Sequence, residues 1–290
     1  MKMKKFSKFS ILLIFLLVVG INTTFAETIF TYLDKAAKSD TRQDFHVELL
    51  KLALEQTEEK YGQYRLVRAP VMNAARSMIS VKANRYPNFF VNESVTADKL
   101  NELGYVPFPI YRGLIGYRVF FVAPEVKNRL ENIVTIEELK EFSIGQGIGW
   151  LASDILEHNG FKVVAGSNYE GLFKMLAANR FDLFARGINE AIGEYDAYKN
   201  SINLVLDDSV AIYYPLPRYF FTHKSNKDAI KRITEGLLAA YEDGSFIRLW
   251  NKHHADSINR VDLSDRVIFT LENPFLQGVD KSYEKYMYKP

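Results

Sequence analysis

The chain has 290 residues, 37 basic and 35 acidic side chains, 14% aromatic residues and no cysteine. Without cysteine, disulfides, thiolate metal sites, cysteine nucleophiles and the lipid-bearing cysteine of a bacterial lipoprotein are all excluded. The basic excess comes from Lys2, Lys4, Lys5 and Lys8; beyond residue 26 the remaining 264 residues hold 33 bases against 35 acids, which gives no electrostatic reason to expect a nucleic acid.

Those four lysines stand before an apolar run, "ILLIFLLVVGI", followed by "NTTFA". Basic front, short apolar middle and small residues at Thr24 and Ala26 predict a secretory signal peptide cut after Ala26. A membrane anchor is the competing reading, but a spanning helix needs about 20 apolar residues and this run is shorter. With the cysteine count, this predicts a free periplasmic protein.

"TIFTYL" has the β-branched and aromatic content of a strand. "DFHVELLKLALEQTEEKYG" places Phe45, Leu49, Leu52 and Ala53 on one helical face, with Gly62 as the stop. "YRLVRA" reads as strand, "MNAARSMISVKA" as helix and "NFFV" as a buried strand. "VPFPIYRGLIGYRVFFVAP" reads as extended. From Pro124 the alternation sharpens: strand "FSIG", helix "WLASDILEH", strand "FKVV", helix "NYEGLFKMLAAN" with Asn168 as N-cap, strand "RFDLFA", helix "INEAIGEYDAY", strand "INLVL". A second extended segment, "VAIYYPLPRYFFTH", precedes two amphipathic helices and a less regular tail from Asp256.

Such alternation predicts an α/β protein whose mostly parallel sheets are covered by helices. The 264 residues after Ala26 exceed what one core usually holds, so two lobes are expected. Lobe 1 is read as residues 27–117 and 217–290. Lobe 2, residues 118–216, is inserted into it through extended crossings near 117–124 and 211–222.

Several stretches carry chemistry. "GQGIGW" lacks the G-x-G-x-x-G dinucleotide spacing and the Lys-Ser/Thr of a phosphate loop, so no nucleotide is expected. Its glycines at 145, 147 and 149 admit two readings, a plain structural turn or a close backbone approach to a ligand at a helix start. In the second reading Gln146, Gly147, Trp150 and Ser153 contribute an amide, open backbone, a ring face and a hydroxyl. Arg186 stands at a predicted strand end before a helix, where ligands of open α/β sheets gather. It either grips an anion or pairs with Glu190, four residues on. Arg112 and Arg118 flank "GLIG" at the first crossing and are cleft or solvent residues; Tyr213, Tyr214 and Tyr219 are ring walls or core. His253 and His254 are adjacent on a helix and diverge by about 100°, which argues against a shared metal. No nucleophile elbow or zinc-protease motif is present and no acid pair can be placed in one cleft from the sequence, so no catalytic residue and no cofactor are expected.

The closing "YEDGSFIRLWNKH", and still more "GQGIGWLASDILEHNGFKVV…YEGLFKMLAANRFDLFARGINEA", resemble the periplasmic solute-binding proteins of family 3, the amino-acid ABC transporter type, in a divergent branch. The resemblance implies the type II periplasmic-binding-protein fold and a monomer that closes on a small polar solute. It also implies a membrane permease or sensor as partner. In that family a T-x-x-R arginine holds the ligand carboxylate; here "TADK" puts Lys99 there. The family's ammonium-binding aspartate falls at or beside Arg186, which implies an anionic solute rather than an ordinary amino acid. The ligand-binding set expected is therefore Lys99, Arg112, Gln146, Gly147, Trp150, Ser153, Arg186 and Tyr214. A secreted dehydratase-type enzyme with Glu190 as general acid is the alternative on the same scaffold.

Overall fold

The computed structural model describes residues 27–33 and 44–290. The expected signal peptide and its cut after Ala26 lie outside the described residues. Among the described residues, no helix is long and apolar enough to cross a membrane.

Strand β1 (Thr28–Leu33) starts the first sheet. Helices α1 (Asp44–Glu55) and α2 (Glu58–Tyr61) lead to β2 (Tyr64–Ala69), which pairs with β1 in parallel. Helix α3 (Ala74–Lys82) opens on Asn73, whose side chain accepts from the Arg76 N–H, and returns to β3 (Phe89–Ser94), parallel to β1. Helix α4 (Ala97–Glu102) is capped by Thr96, and β4 (Gly104–Tyr105) is a short edge. The proline- and glycine-rich stretch predicted as extended breaks into turns and a 3-10 turn at Leu114–Gly116. It then enters β5 (Tyr117–Val122), the first strand of the second sheet.

Helices α5 (Pro124–Leu130) and α6 (Ile136–Lys140) precede β6 (Ser143–Gly147), α7 (Leu151–His158), β7 (Lys162–Gly166) and α8 (Tyr169–Ala177). The predicted Asn168 cap is present, accepting from the Gly171 N–H. Strand β8 (Leu183–Gly187) runs straight into α9 (Ile188–Tyr198). Strands β9 (Val205–Leu206) and β10 (Val210–Tyr213) close this excursion, and the chain returns to the first sheet through β11 (Arg218–Thr222). The second predicted extended segment is thus two strands in two sheets, broken where Pro215 and Pro217 withhold ladder donors. Long helices α10 (Lys227–Glu242) and α11 (Ser245–Val261) complete the regular structure.

The first sheet has the order β2-β1-β3-β11-β4, with β11 antiparallel to both neighbours. The tail, read from sequence only as less regular, adds β12 (Val267–Thr270) in parallel to β10. The second sheet then runs β12-β10-β5-β8-β6-β7, with β9 on β5, and β5 antiparallel to β8 and β10. Both sheets are mixed rather than mostly parallel, because the two crossing strands run against the βα units they join. The tail then comes back across the hinge. Tyr283 is buried with Tyr219 and Phe221, and the Tyr288 N–H donates to the Arg112 carbonyl at 2.6 Å.

Period-two alternation explains why the centre of the first sheet, β3 and β11, is packed on both faces. On β3, Phe90 enters the main core while Phe89 and Val91 enter a second cluster; on β11, Phe220 and Tyr219/Phe221 divide in the same way. Helix α11 fastens lobe 2 from behind. Ser257 Oγ donates to the Ile188 carbonyl at 2.5 Å, and Arg260 holds Asp196 at 2.7 Å, so the start and the body of α9 are both anchored. Helices α1 and α10 meet where Gly236 faces the Ala53 carbonyl, which a methyl group on residue 236 would strike. Gly236→Ala is expected to destabilise the protein by about 1–3 kcal/mol in urea denaturation, the overpacking cost exceeding the gain in helix propensity. A variant as stable as the wild type would show that the two helices separate freely.

Candidate functional site

Between the two sheets lies a cleft of about 870 Å³, within the size range of small-molecule sites. Lobe 1 contributes the end of β3 with Lys99 and His46; lobe 2 contributes Trp150, Tyr169 and the β8–α9 junction. The hinge strands supply Arg118 and Arg218.

The β8–α9 junction is the most heavily charged part. Arg186 ends buried in it, its side chain 6% exposed. Its Nε and Nη2 donate to the two carboxylate oxygens of Glu194 at 2.7 and 2.6 Å, and Nη2 lies 2.9 Å from Glu190. The rings of Trp150 and Tyr169 stand 5.0 and 5.5 Å from the guanidinium carbon, and the Tyr169 hydroxyl donates to Glu194 at 2.6 Å. Burial works against the charge of Arg186, but Glu190 and Glu194 outweigh it and hold the guanidinium firmly protonated. Burial and the neighbouring Glu190 charge push Glu194 up. For Glu190, burial is outweighed by Arg186, Arg118, the Gly187 N–H and Arg218, which hold it below the usual carboxylate range. Arg186 therefore reaches the cleft with its Nε and Nη2 already taken by two carboxylates.

Other groups are not filled. Arg118 Nη1 stands 3.7 Å from Glu190, but its Nε is buried with no hydrogen-bond partner. Arg218 Nε is in the same condition, and Arg218 makes no ion pair among the described residues. Asn189 Oδ1, in the first turn of α9, is a buried acceptor without a donor. His46 bridges Asn92 and Tyr111 at 3.1 and 2.7 Å; burial, and then the charge of Arg218, hold it well below the usual histidine range. So Arg118 and Arg218 line the cleft with one buried, unpaired Nε each, and Asn189 with one buried, unpaired amide oxygen, beside a neutral imidazole.

The residues expected from sequence fall into two groups. Lys99, Trp150 and Arg186 line the cleft. Lys99 is tied there to Glu93 at 3.0 Å and to the Ser94 carbonyl at 3.1 Å. Arg112, Gln146, Gly147, Ser153 and Tyr214 do not line it. Arg112 turns to the tail, donating to the Tyr286 carbonyl at 3.1 Å and covering the Trp250 ring at 4.9 Å. Gln146 is buried and donates to the Ala185 carbonyl at 3.2 Å, and Ser153 Oγ donates to the Gly147 carbonyl at 3.3 Å. Tyr214 is fully buried beneath Arg118. Of the three glycines, Gly145 and Gly147 make room for the Phe181 ring and the Trp150 indole, a packing role. Only Gly149, with φ of 78°, sits in the cleft wall with open space where a side chain would start. His253 and His254 pack beside Phe45, and burial, with the His253 charge, lowers His254 to about 3.

Sequence reasoning missed Arg218, Asn189 and Glu194, and left Arg118 out of its final set. A usable signal existed for Arg218, the single charge in "IYYPLPRYFF". None existed for Glu194, eight residues beyond Arg186 and brought back only by the sharp strand-to-helix junction at Gly187.

No protein-family model matches the chain, and no curated protein matches it by sequence. Solved structures do match its shape. A probable amino-acid ABC transporter extracellular-binding protein, ytmK from Bacillus subtilis, superposes with a TM-score of 0.58 at 14% identity, covering 80% of this chain and 99% of that one. A Salmonella typhimurium periplasmic binding protein of high arginine specificity gives 0.55 at 15% identity, covering 78% and 99%. An ancestral arginine-binding protein bound to arginine gives 0.55 at 14%, covering 79% and 99%. The chain has the two-lobe, type II periplasmic-binding-protein fold.

Proposed function

We propose that this is an exported solute-binding protein of the family 3 kind, closing its lobes on a small solute that carries a carboxylate. Arg218 and Arg118 receive the carboxylate, and Glu190 with Asn189 Oδ1 receives the solute's hydrogen-bond donors. The observation that carries this reading is the clustering of buried, unpartnered polar atoms, Nε of Arg118, Nε of Arg218 and Oδ1 of Asn189, around one interlobe cleft. Buried polar groups are nearly always paired, and these three are complementary to a ligand with an acceptor and a donor. Arg186, whose Nε and Nη2 are taken by two glutamates, acts here as the post that positions Asn189 and Glu190. The expectation of an anionic solute narrows accordingly: one carboxylate is required, and the other end of the solute is a donor such as an amine, amide or hydroxyl.

Glu190 is held ionised, which suits an acceptor and opposes the general-acid role of a dehydratase. Closure expels water and strengthens each contact, and the closed form then docks to a membrane permease, or to a sensor if no permease accompanies the protein. A thermal-shift screen tests the reading, since a bound solute stabilises the fold by mass action. Carboxylates bearing a donor group are expected to raise Tm, and their methyl esters are expected to be silent. Esters as effective as the free acids, or stabilisation by uncharged sugars alone, would overturn it.

A further inference from the structure

A second pocket, of about 320 Å³, opens on lobe 1 and shares no lining residue with the cleft. Its walls are β1, the end of α2, and the first turns of α10. Arg232 leaves α10 with the helix's natural tilt toward the N-terminus and lies 2% exposed in the pocket wall. Its Nε donates to Thr57 Oγ1 at 3.3 Å and its Nη2 to the Gly62 carbonyl at 2.7 Å; Nη1 is buried with no partner. No carboxylate pairs with it among the described residues. The rings of Phe30, Tyr61 and Tyr64, 5.6, 5.7 and 5.6 Å away, support the positive charge but take no hydrogen from Nη1.

The same pocket receives the start of α10, a 16-residue helix. Asn226 stands at the N-cap but does not cap; its amide donates instead to Thr222 Oγ1 at 2.8 Å and Asn84 Oδ1 at 3.3 Å. The first-turn N–H groups of Lys227, Asp228 and Ala229 are therefore left with the partial positive charge of the helix end. Asp228 and Lys227, both exposed at the rim, offset each other.

We propose that this pocket is a second ligand site, for a small oxyanion, a carboxylate or phosphate, that accepts from Arg232 Nη1 and from the open first-turn N–H groups of α10. It is independent of the interlobe cleft, with which it shares no lining residue. Inorganic phosphate is the probe. Calorimetric titration of the purified protein is expected to give one phosphate per chain, unchanged in Arg218→Ala. Arg232→Gln is expected to weaken binding about tenfold or more by removing a charge-assisted donor. If Arg232→Gln fails to fold, Ser225→Glu decides, because residue 225 is an exposed rim position where a carboxylate repels the anion without touching the core. No phosphate binding by the wild type, binding lost in Arg218→Ala, or binding kept at full strength in Ser225→Glu would each overturn the proposal.

Discussion

Arg218→Ala is expected to abolish solute capture while the protein stays folded. The guanidinium has no carboxylate to abandon among the described residues, and its Nε is already unpaired, so truncation leaves no orphaned charge in the free protein. Folding stability should be unchanged or slightly higher. In the complex the balance reverses: a ligand carboxylate buried without its arginine costs about 2–5 kcal/mol, roughly 30-fold or more in Kd. Arg218→Lys should recover only part of this, since an ammonium offers a point charge where the fork offers directed, planar donors. Calorimetry with the best solute from the screen, alongside urea denaturation, separates the two effects. Wild-type affinity in Arg218→Ala would remove the carboxylate subsite from the account.

Much of the scaffold was legible in the sequence because its signals are local. The run from β6 to α9 is marked by Gly160 with φ of 83°, by the Asn168 cap, and by apolar residues recurring at helical spacing. Such features need no knowledge of the rest of the chain. The tail was not legible. "VIFT" becomes strand β12 only because β10 offers it an open edge, and Tyr283 and Tyr288 are ordered by partners more than 60 residues distant. The site was legible in kind but not in detail. A positive strand end at Arg186 and a hinge arginine at 118 were visible, and both reach the cleft. Which guanidinium is free was not visible, because that depends on Glu194 arriving through the fold rather than through helix spacing. The glycines mislead for the same reason: sequence cannot tell room for a ligand from room for the Phe181 ring.

Arg186→Met is expected to be the most destabilising single change in lobe 2. It leaves Glu190 and Glu194 buried side by side without their shared cation, and breaking such a pair typically costs about 3–5 kcal/mol. The pH dependence identifies the cause. In the wild type, Glu190 is held below its ordinary value of 4.5, so its contribution is present above that value and is lost as pH falls. Without Arg186, Glu194 is raised further by burial and repulsion, and Glu190 loses the largest of the charges that hold it down, so both carboxylates move up. Protonation then favours the folded state, so stability is retained below about 4.5 and lost as pH rises through the raised folded values. The gap between variant and wild type should therefore be smallest near pH 4 and widen toward neutrality. Adding Glu194→Gln should close part of it by removing one of the stranded charges. Because α9 begins at the next residue but one, the variant should also bind solute less well even at acid pH, through misplacement of Asn189 and Glu190. A gap independent of pH would mean that Arg186 acts through packing against Trp150 and Tyr169 rather than through charge.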